Sequence, residues 1–258
     1  TAEFDITTFV SSGKNEILAV NYKWSNGTYL ECQDMFRENG IFRDVFIINQ
    51  NKNHVDDILL RPSKNADGTY DLKIEIKGSF DSNTAVSAQC FGLFEKTQIN
   101  EKAVIRSLSP EEWTAETPRL YEAIITVESD GKTEEIIRTY IGFRDIKIDG
   151  EVFRFNSKAI KLIGVNHHDT HMTKGYAMSL DDLELDVKLM KEYNCNCVRT
   201  SHYPPDPVFL TMCDFYGLYV VDEADIETHG FYATPGTYRP NRLSNNLKWS
   251  PRYLDRVS

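Results

Sequence analysis

The stretch "VVDEADIETHG" (220–230) crowds Asp222, Glu223, Asp225 and Glu227 against His229. Like charges packed this closely raise one another's cost of ionisation, so a cation or strong donors must compensate. In an extended backbone, side chains two apart point the same way. Glu227 and His229 therefore project together, and Asp225 can join them. One carboxylate and one imidazole are a poor zinc set without further His or Cys. They suit magnesium or manganese, with water completing the shell. Asp222 and Glu223 read instead as structural acids that bond backbone amides just beyond the apolar run "LYVV".

Two further stretches have similar texture. "GVNHHDTH" (164–171) holds His167, His168 and His171. Zinc would need three converging ligands, and a loop offers no helical face with two His one turn apart. The favoured reading is one imidazole packed against a sheet and another reaching a pocket, where a neutral ring can hydrogen-bond the hydroxyls of a polyol. "VRTSHYPPDP" supplies His202 beside Arg199. A lone Arg–His pair is usually structural, but two His at the same end of neighbouring parallel strands less often are.

Each of these stretches follows a short apolar run. "AIKLIGVN" (159–166), "CNCVRT" and "LYVVDE" read as strands, the first of them buried. Between them, "SLDDLELDVKLMKEYN" can be capped by Ser179 with Asp182 three on, and places Leu183, Val187 and Met190 on one helical face. "DPVFLTMCDFYG" opens with Asp206 as cap and Pro207 at the first helical position, then closes at Gly217. "SPRYLDRVS" starts a third helix at Ser250–Pro251. Strand and helix alternating at this spacing imply parallel βαβ units. In such a sheet or barrel the three polar stretches all lie at the carboxyl end, where sites are built.

The upstream half is different. From Thr1 to about Gln50, "NEILAVNYKW" and "GIFRDVFII" read as strands of an all-β domain, separated by the turn signal "SNG". From Asn51 to about residue 147, "TYDLKIEIKG" alternates Tyr70, Leu72, Ile74 and Ile76 with Asp71, Lys73, Glu75 and Lys77, a strand with one wet face. "AVSAQCFGLFE", "RLYEAIITVES" and "EEIIRTYIGFRDIKID" continue the series, and an immunoglobulin-like β-sandwich follows. The whole is multidomain: β-sandwich units over 1–50 and 51–147, then an α/β unit over 148–258.

Composition limits the function classes. The 258 residues carry 29 basic and 39 acidic side chains, a net charge of −10. That balance argues against nucleic acid, which needs a basic footprint. No apolar run approaches the roughly 18 residues of a membrane helix. The five cysteines are odd in number and lack framework or zinc spacing, "CNC" at 195–197 not being C-x-x-C. Free, partly buried thiols point to a reducing, cytoplasmic setting. The opening "TAEFDITTFV" has no initiator Met and reads as an excised piece.

With these residues in hand, the chain resembles the glycoside hydrolases of family 2. "GTYLECQDMFRENGIFRDV" (27–45) is similar to the end of that family's jelly-roll sugar-binding domain. "LIGVNHHD", "NCVRTSHYP" and "LYVVDEADIETHG" look like three successive motifs of its (β/α)8 barrel, in the same order, and "DEADIETHG" resembles the β-galactosidase branch. The resemblance implies hydrolysis of terminal β-D-galactosides with retention, in a larger homo-oligomer or heteromer. It implies Glu227 and His229 as Mg2+ ligands, and His168 and His202 as donors to sugar hydroxyls. It further implies Asp34 as a sugar contact that helps hold Na+, and Arg199 as a residue positioning the others. Ile163 and His167 stand where relatives often have Arg, and Phe36 where Trp is common, which bears on fine substrate preference. Retaining glycosidases need two carboxylates about 5 Å apart; in this family both come from later barrel strands, so both are expected beyond Ser258, and this chain is expected to be inactive alone. The alternatives are a non-catalytic carbohydrate-binding or assembly subunit, or another family 2 glycosidase such as a β-glucuronidase or β-mannosidase.

Overall fold

The computed structural model describes residues 2–25, 27–33, 35–36, 38–229 and 242–257. Residues 2–50 carry only one helical turn, α1 (Gly27–Leu30), and a two-residue strand, β1 (Glu31–Cys32). The strands expected at "NEILAVNYKW" and "GIFRDVFII" are not formed, and Ile17, Leu18, Trp24, Phe46, Ile47 and Ile48 are exposed. The physical reason is pairing: an isolated strand leaves its backbone groups to water and its apolar face uncovered, and no other described strand pairs with these stretches.

The sandwich follows. One sheet orders β2 (His54–Lys64), β3 (Tyr70–Ser79) and β6 (Lys102–Leu108) as β2-β3-β6. The other orders β4 (Thr84–Cys90), β5 (Phe94–Gln98), β7 (Tyr121–Ser129) and β8 (Lys132–Ile141) as β5-β4-β7-β8. All pairings are antiparallel. The period-two pattern of β3 is realised, with Tyr70, Leu72, Ile74 and Ile76 buried against Val86, Ile125 and Val127 of the facing sheet. The run "EEIIRTYIGFRDIKID" continues the sandwich only as far as Ile141. Strand β8 stops at Ile141, and β9 (Ile146–Asp149) joins β10 (Val152–Phe155) and β11 (Lys158–Ala159) in a small separate sheet. Gly142 lies between these two strands, against Trp113 and Leu120.

The α/β unit is built on parallel strands β12 (Gly164–His167), β13 (Cys197–Thr200) and β14 (Tyr219–Val221), in the order β12-β13-β14. They are linked by α2 (Leu180–Glu192) and α3 (Pro207–Tyr216). The expected buried strand over 159–166 is divided: residues 158–159 pair with β10, β12 begins only at Gly164, and Val165 is exposed. Strand β12 is the sheet's edge here, paired on one side only.

Both helices start as their sequences require. Asp182 Oδ2 accepts from Ser179 N (2.8 Å) and Ser179 Oγ (2.7 Å), and Leu183, Val187 and Met190 are the buried face. Asp206 accepts from Val208 N at 2.9 Å, and Gly217 closes α3 in the left-handed conformation at φ 81°. A side chain at Gly217 would also overlap the Ala115 carbonyl oxygen. Gly217→Ala is therefore expected to cost at least about 2 kcal/mol, left-handed backbone plus displacement, read as a lowered thermal midpoint. Two short segments complete the unit: β15 (Glu227–Thr228), which pairs in parallel with β1, and α4 (Ser250–Val257). Among the described residues no helix is long and apolar enough to cross a membrane, and all five thiols are free.

The sandwich and the α/β unit are joined through Trp113, Phe155 and Tyr219, whose ring centroids lie 4.7–5.9 Å apart in edge-on pairs. Trp113 Nε1 donates to the Asp214 carbonyl at 2.8 Å, and Lys191 Nζ donates to the carbonyls of Ala115 and Gly217 at 3.0 and 2.7 Å. These contacts fix the foot of β14, and so the direction in which its polar tip leaves the sheet.

Candidate active site

Parallel register aligns the three strand tips. Asn166 on β12 pairs with Arg199 on β13, and Arg199 pairs with Val221 on β14. Glu223, two residues past Val221, is thereby opposite the Arg199 guanidinium and receives its Nε–H. Arg199 also donates to Asn166 Oδ1 at 3.3 Å. His202 bridges two carboxylates: Nδ1 lies 2.9 Å from Glu223 Oε2, and Nε2 lies 3.4 Å from Glu227 Oε2. His229 Nε2 is 2.7 Å from the other Glu227 oxygen. The His168 ring stands edge-on to His202 at 5.8 Å and lies 5.8 Å from the Tyr203 ring. The tips of all three strands thus meet at one rim.

Each side chain has an environment that explains its state. Burial opposes ionisation of Glu223, but the hydrogen bonds from Arg199 and His202 outweigh it and hold the carboxyl below its ordinary range. Burial, then the neighbouring charges of His202 and His167, push His168 below the usual imidazole range, so it is neutral at pH 7. Its Nδ1 is buried with no hydrogen-bond partner among the described residues; Glu227 Oε2 is also buried and accepts no hydrogen bond there, the His202 Nε2 at 3.4 Å being an ion-pair contact only. An unsatisfied buried carboxylate oxygen is costly, and next to an imidazole it is a donor set ready for a hard cation. Glu227 and His229 thus fit two ligands of a Mg2+ shell, although no group of three His, Cys, Asp or Glu converges among the described residues.

Some assignments made from the sequence change. Asp225 does not join Glu227 and His229. It accepts from Gln33 Nε2 at 2.7 Å, and burial, with the charge of Glu31 adding, pushes its carboxyl up to about 6. Asp222 behaves as a structural acid, accepting from Thr200 Oγ1 at 3.0 Å and Glu223 N at 3.1 Å. Glu223 does not: it clamps Arg199 and His202 rather than backbone amides. His167 is the packed imidazole, stacked on Phe209 at 4.6 Å with Nε2 2.9 Å from Asp186. His171 lies off the rim, its Nδ1 accepting from Thr173 N and Lys174 N. Asp34 lies outside the described residues.

The segment after β1 supplies residues that carry no chemical signal in the sequence. Gln33 Nε2 also reaches the His202 carbonyl at 3.3 Å. Arg43 donates to Asp169 Oδ2 at 3.1 Å and to the Pro204 carbonyl at 3.2 Å. Asp169, next to His168, also accepts from Asp206 N at 2.8 Å, while its own N–H donates to the Tyr203 hydroxyl at 3.0 Å. Only the quoted motif around 27–45 marked this segment as belonging to the site; its individual contacts are tertiary.

A β-sandwich abutting parallel βα units, with carboxylates and imidazoles at the strands' carboxyl ends, puts the candidate site where parallel α/β enzymes build theirs. Comparison with known proteins makes this specific. Residues 1–51 match the sugar binding domain of glycosyl hydrolases family 2, residues 53–144 match the family's central domain, and residues 146–258 match its TIM barrel domain. The chain belongs to glycosyl hydrolases family 2. Across its whole length it is 37% identical to a beta-galactosidase of Alteromonas mediterranea and 38% identical to one of Pectobacterium atrosepticum, and it spans 26% of each of those proteins. Its fold is similar to the beta-glucuronidase of Ruminococcus gnavus (TM-score 0.59, 21% identity, covering 67% of this chain and 30% of that one). It is also similar to beta-glucuronidase 3 of Bacteroides uniformis (TM-score 0.63, 20% identity, 74% and 25%).

Proposed function

We propose that this chain forms part of a retaining β-galactosidase and contributes its sugar and metal contacts, the two bond-breaking carboxylates being supplied by barrel strands outside it. The observation that carries this reading is the bridge of His202 between Glu223 and Glu227 with His168 edge-on beside it. Imidazoles at this rim can hydrogen-bond the hydroxyls of a galactosyl ring, and hydrogen bonds that strengthen in the transition state lower the barrier. In this reading His168 and His202 orient the ring, Arg199 fixes His202 through Glu223, and Asp34 adds a hydroxyl contact together with Na+. Glu227 and His229 hold Mg2+, whose positive charge favours the ionised form of a nearby acid/base carboxyl.

A β-glucuronide is a weaker fit. Its carboxylate needs a free cation, whereas the Arg199 guanidinium is engaged by Glu223 and Asn166. The likeness to β-glucuronidase structures is one of fold, at 20–21% identity. The test is turnover by the full-length protein of matched nitrophenyl β-galactoside, β-glucuronide and β-mannoside. The galactoside is expected to give the highest kcat/KM, and preference for either of the others overturns the reading. The metal assignment has its own readout: millimolar Mg2+ is expected to raise the thermal midpoint of the wild type by a few degrees. Glu227→Gln and His229→Ala are each expected to abolish that rise, and a rise that persists in both moves the ion elsewhere.

A further inference from the structure

A cavity of about 560 Å3 lies at the seam between the sandwich and the α/β unit. It holds none of the imidazoles or carboxylates of the polar rim. Residues 60–64 of β2 form one wall, the end of β8 and its connection into β9 form a second, and Asp214 of α3 closes the third. Its volume falls within the range typical of small-molecule sites.

The charge of this cavity is opposite to that of the chain. Arg61, Lys64, Arg144 and Lys147 line it against two acids, Asp145 and Asp214, in a protein whose net charge is −10. The two lysines are already paired: Lys147 Nζ lies 2.9 Å from Asp145 Oδ2, and Lys64 Nζ lies 2.6 Å from Glu112 Oε1. Glu112 also accepts from the hydroxyl of the buried Tyr70 at 2.7 Å, which anchors that pair to the sandwich core. The two arginines are different. Neither guanidinium makes a hydrogen bond or an ion pair among the described residues; the charges of Glu75 and Asp214 reach Arg61 and Arg144 only from beyond contact distance. Two forks of five N–H donors each, on separate elements, thus border one cavity without a protein acceptor.

The lining selects for one ligand chemistry. A guanidinium binds the paired oxygens of a carboxylate or phosphate through two parallel N–H bonds. A cation would meet four like charges, and a neutral ligand would draw nothing from the arginines' charge. Leu60, Pro62, Tyr140 and Ile146 add apolar and aromatic surface that suits a carbon body better than a bare inorganic ion. We propose that this cavity binds a small organic oxyanion, a phosphate monoester or a carboxylate, through Arg61 and Arg144. The proposal stands independently of the glycosidase reading. The walls belong to the sandwich, to the connection leading out of it and to α3, and the Asp214 carbonyl accepts from Trp113 Nε1 at 2.8 Å. An occupied cavity therefore ties the sandwich to the α/β unit at the foot of β14.

The test measures binding of phenyl phosphate and of benzoate to the full-length protein by calorimetry and thermal melting, at an ionic strength held constant with chloride. A probe that binds is expected to raise the thermal midpoint by a few degrees at saturation, whereas benzyl alcohol, an aromatic body without the charge, leaves it unchanged. Arg61→Gln and Arg144→Gln are each expected to weaken binding about tenfold or more, the loss of one charge-assisted contact. Both side chains are exposed, so both variants are expected to fold as the wild type does. Tighter binding of phenyl phosphate assigns the cavity to a phosphate monoester, and tighter binding of benzoate assigns it to a carboxylate. Binding of neither probe, or binding that survives either substitution at wild-type strength, overturns the proposal.

Discussion

Glu223→Gln is expected to lower kcat/KM of the full-length protein on a chromogenic β-galactoside by about 100-fold, the scale at which small misplacements of site groups are felt. Glu223 accepts from the Arg199 guanidinium and faces His202 Nδ1 at 2.9 Å. An amide has one acceptor oxygen in place of two and no charge to balance Arg199. His202 is then free to rotate away from Glu227, now 3.4 Å from its Nε2. Because Glu223 is a positioning residue, the signature is a fall in kcat larger than the rise in KM, with the thermal midpoint within a few degrees of the wild type. Glu223→Asp keeps the charge and is expected to recover part of the activity. Wild-type kinetics in Glu223→Gln would mean that His202 is oriented by something else.

The second large effect is on stability. Phe209→Ala is expected to cost about 3–5 kcal/mol, the range for removing a fully buried aromatic side chain. Phe209 has no exposed surface and packs with Leu183, Val187, Val198 and Cys213 in the core that binds α2 and α3 to the sheet. Its ring also stacks on His167 at an interplanar angle of 9°, so the same substitution loosens the residue next to His168. The measurement is urea denaturation followed by tryptophan fluorescence, for which Trp113 is a reporter because it packs on Tyr219 at the foot of β14. The exposed Phe215→Ala, on the same helix, is the comparison and is expected to cost less than half as much, since it is 46% exposed. Equal losses in the two variants would place the core elsewhere.

Local chemistry was enough to read the helices and most strand tips. Ser179 with Asp182, Asp206 with Pro207, and Gly217 each act within one turn of chain, so their effects are written in adjacent residues. The alternation in β3 is likewise local, because a sheet with one buried face imposes period two on whichever sequence occupies it. The convergence of His168, His202 and Glu227 could also be anticipated, since parallel strands deliver their carboxyl ends to one side by topology alone.

What required the tertiary structure was everything decided by a partner distant in sequence. Whether 15–24 and 40–48 become strands depends on which strands are present to pair with them, not on their own β-propensity. Whether Asp225 faces Glu227 or Gln33 depends on where β1 docks beside β15, a contact between residues nearly two hundred positions apart. Glu223 looked like one more acid in a crowded loop. Only the register of β13 against β14 sets it opposite Arg199, so its role lies in the pairing of two strands and not in either sequence.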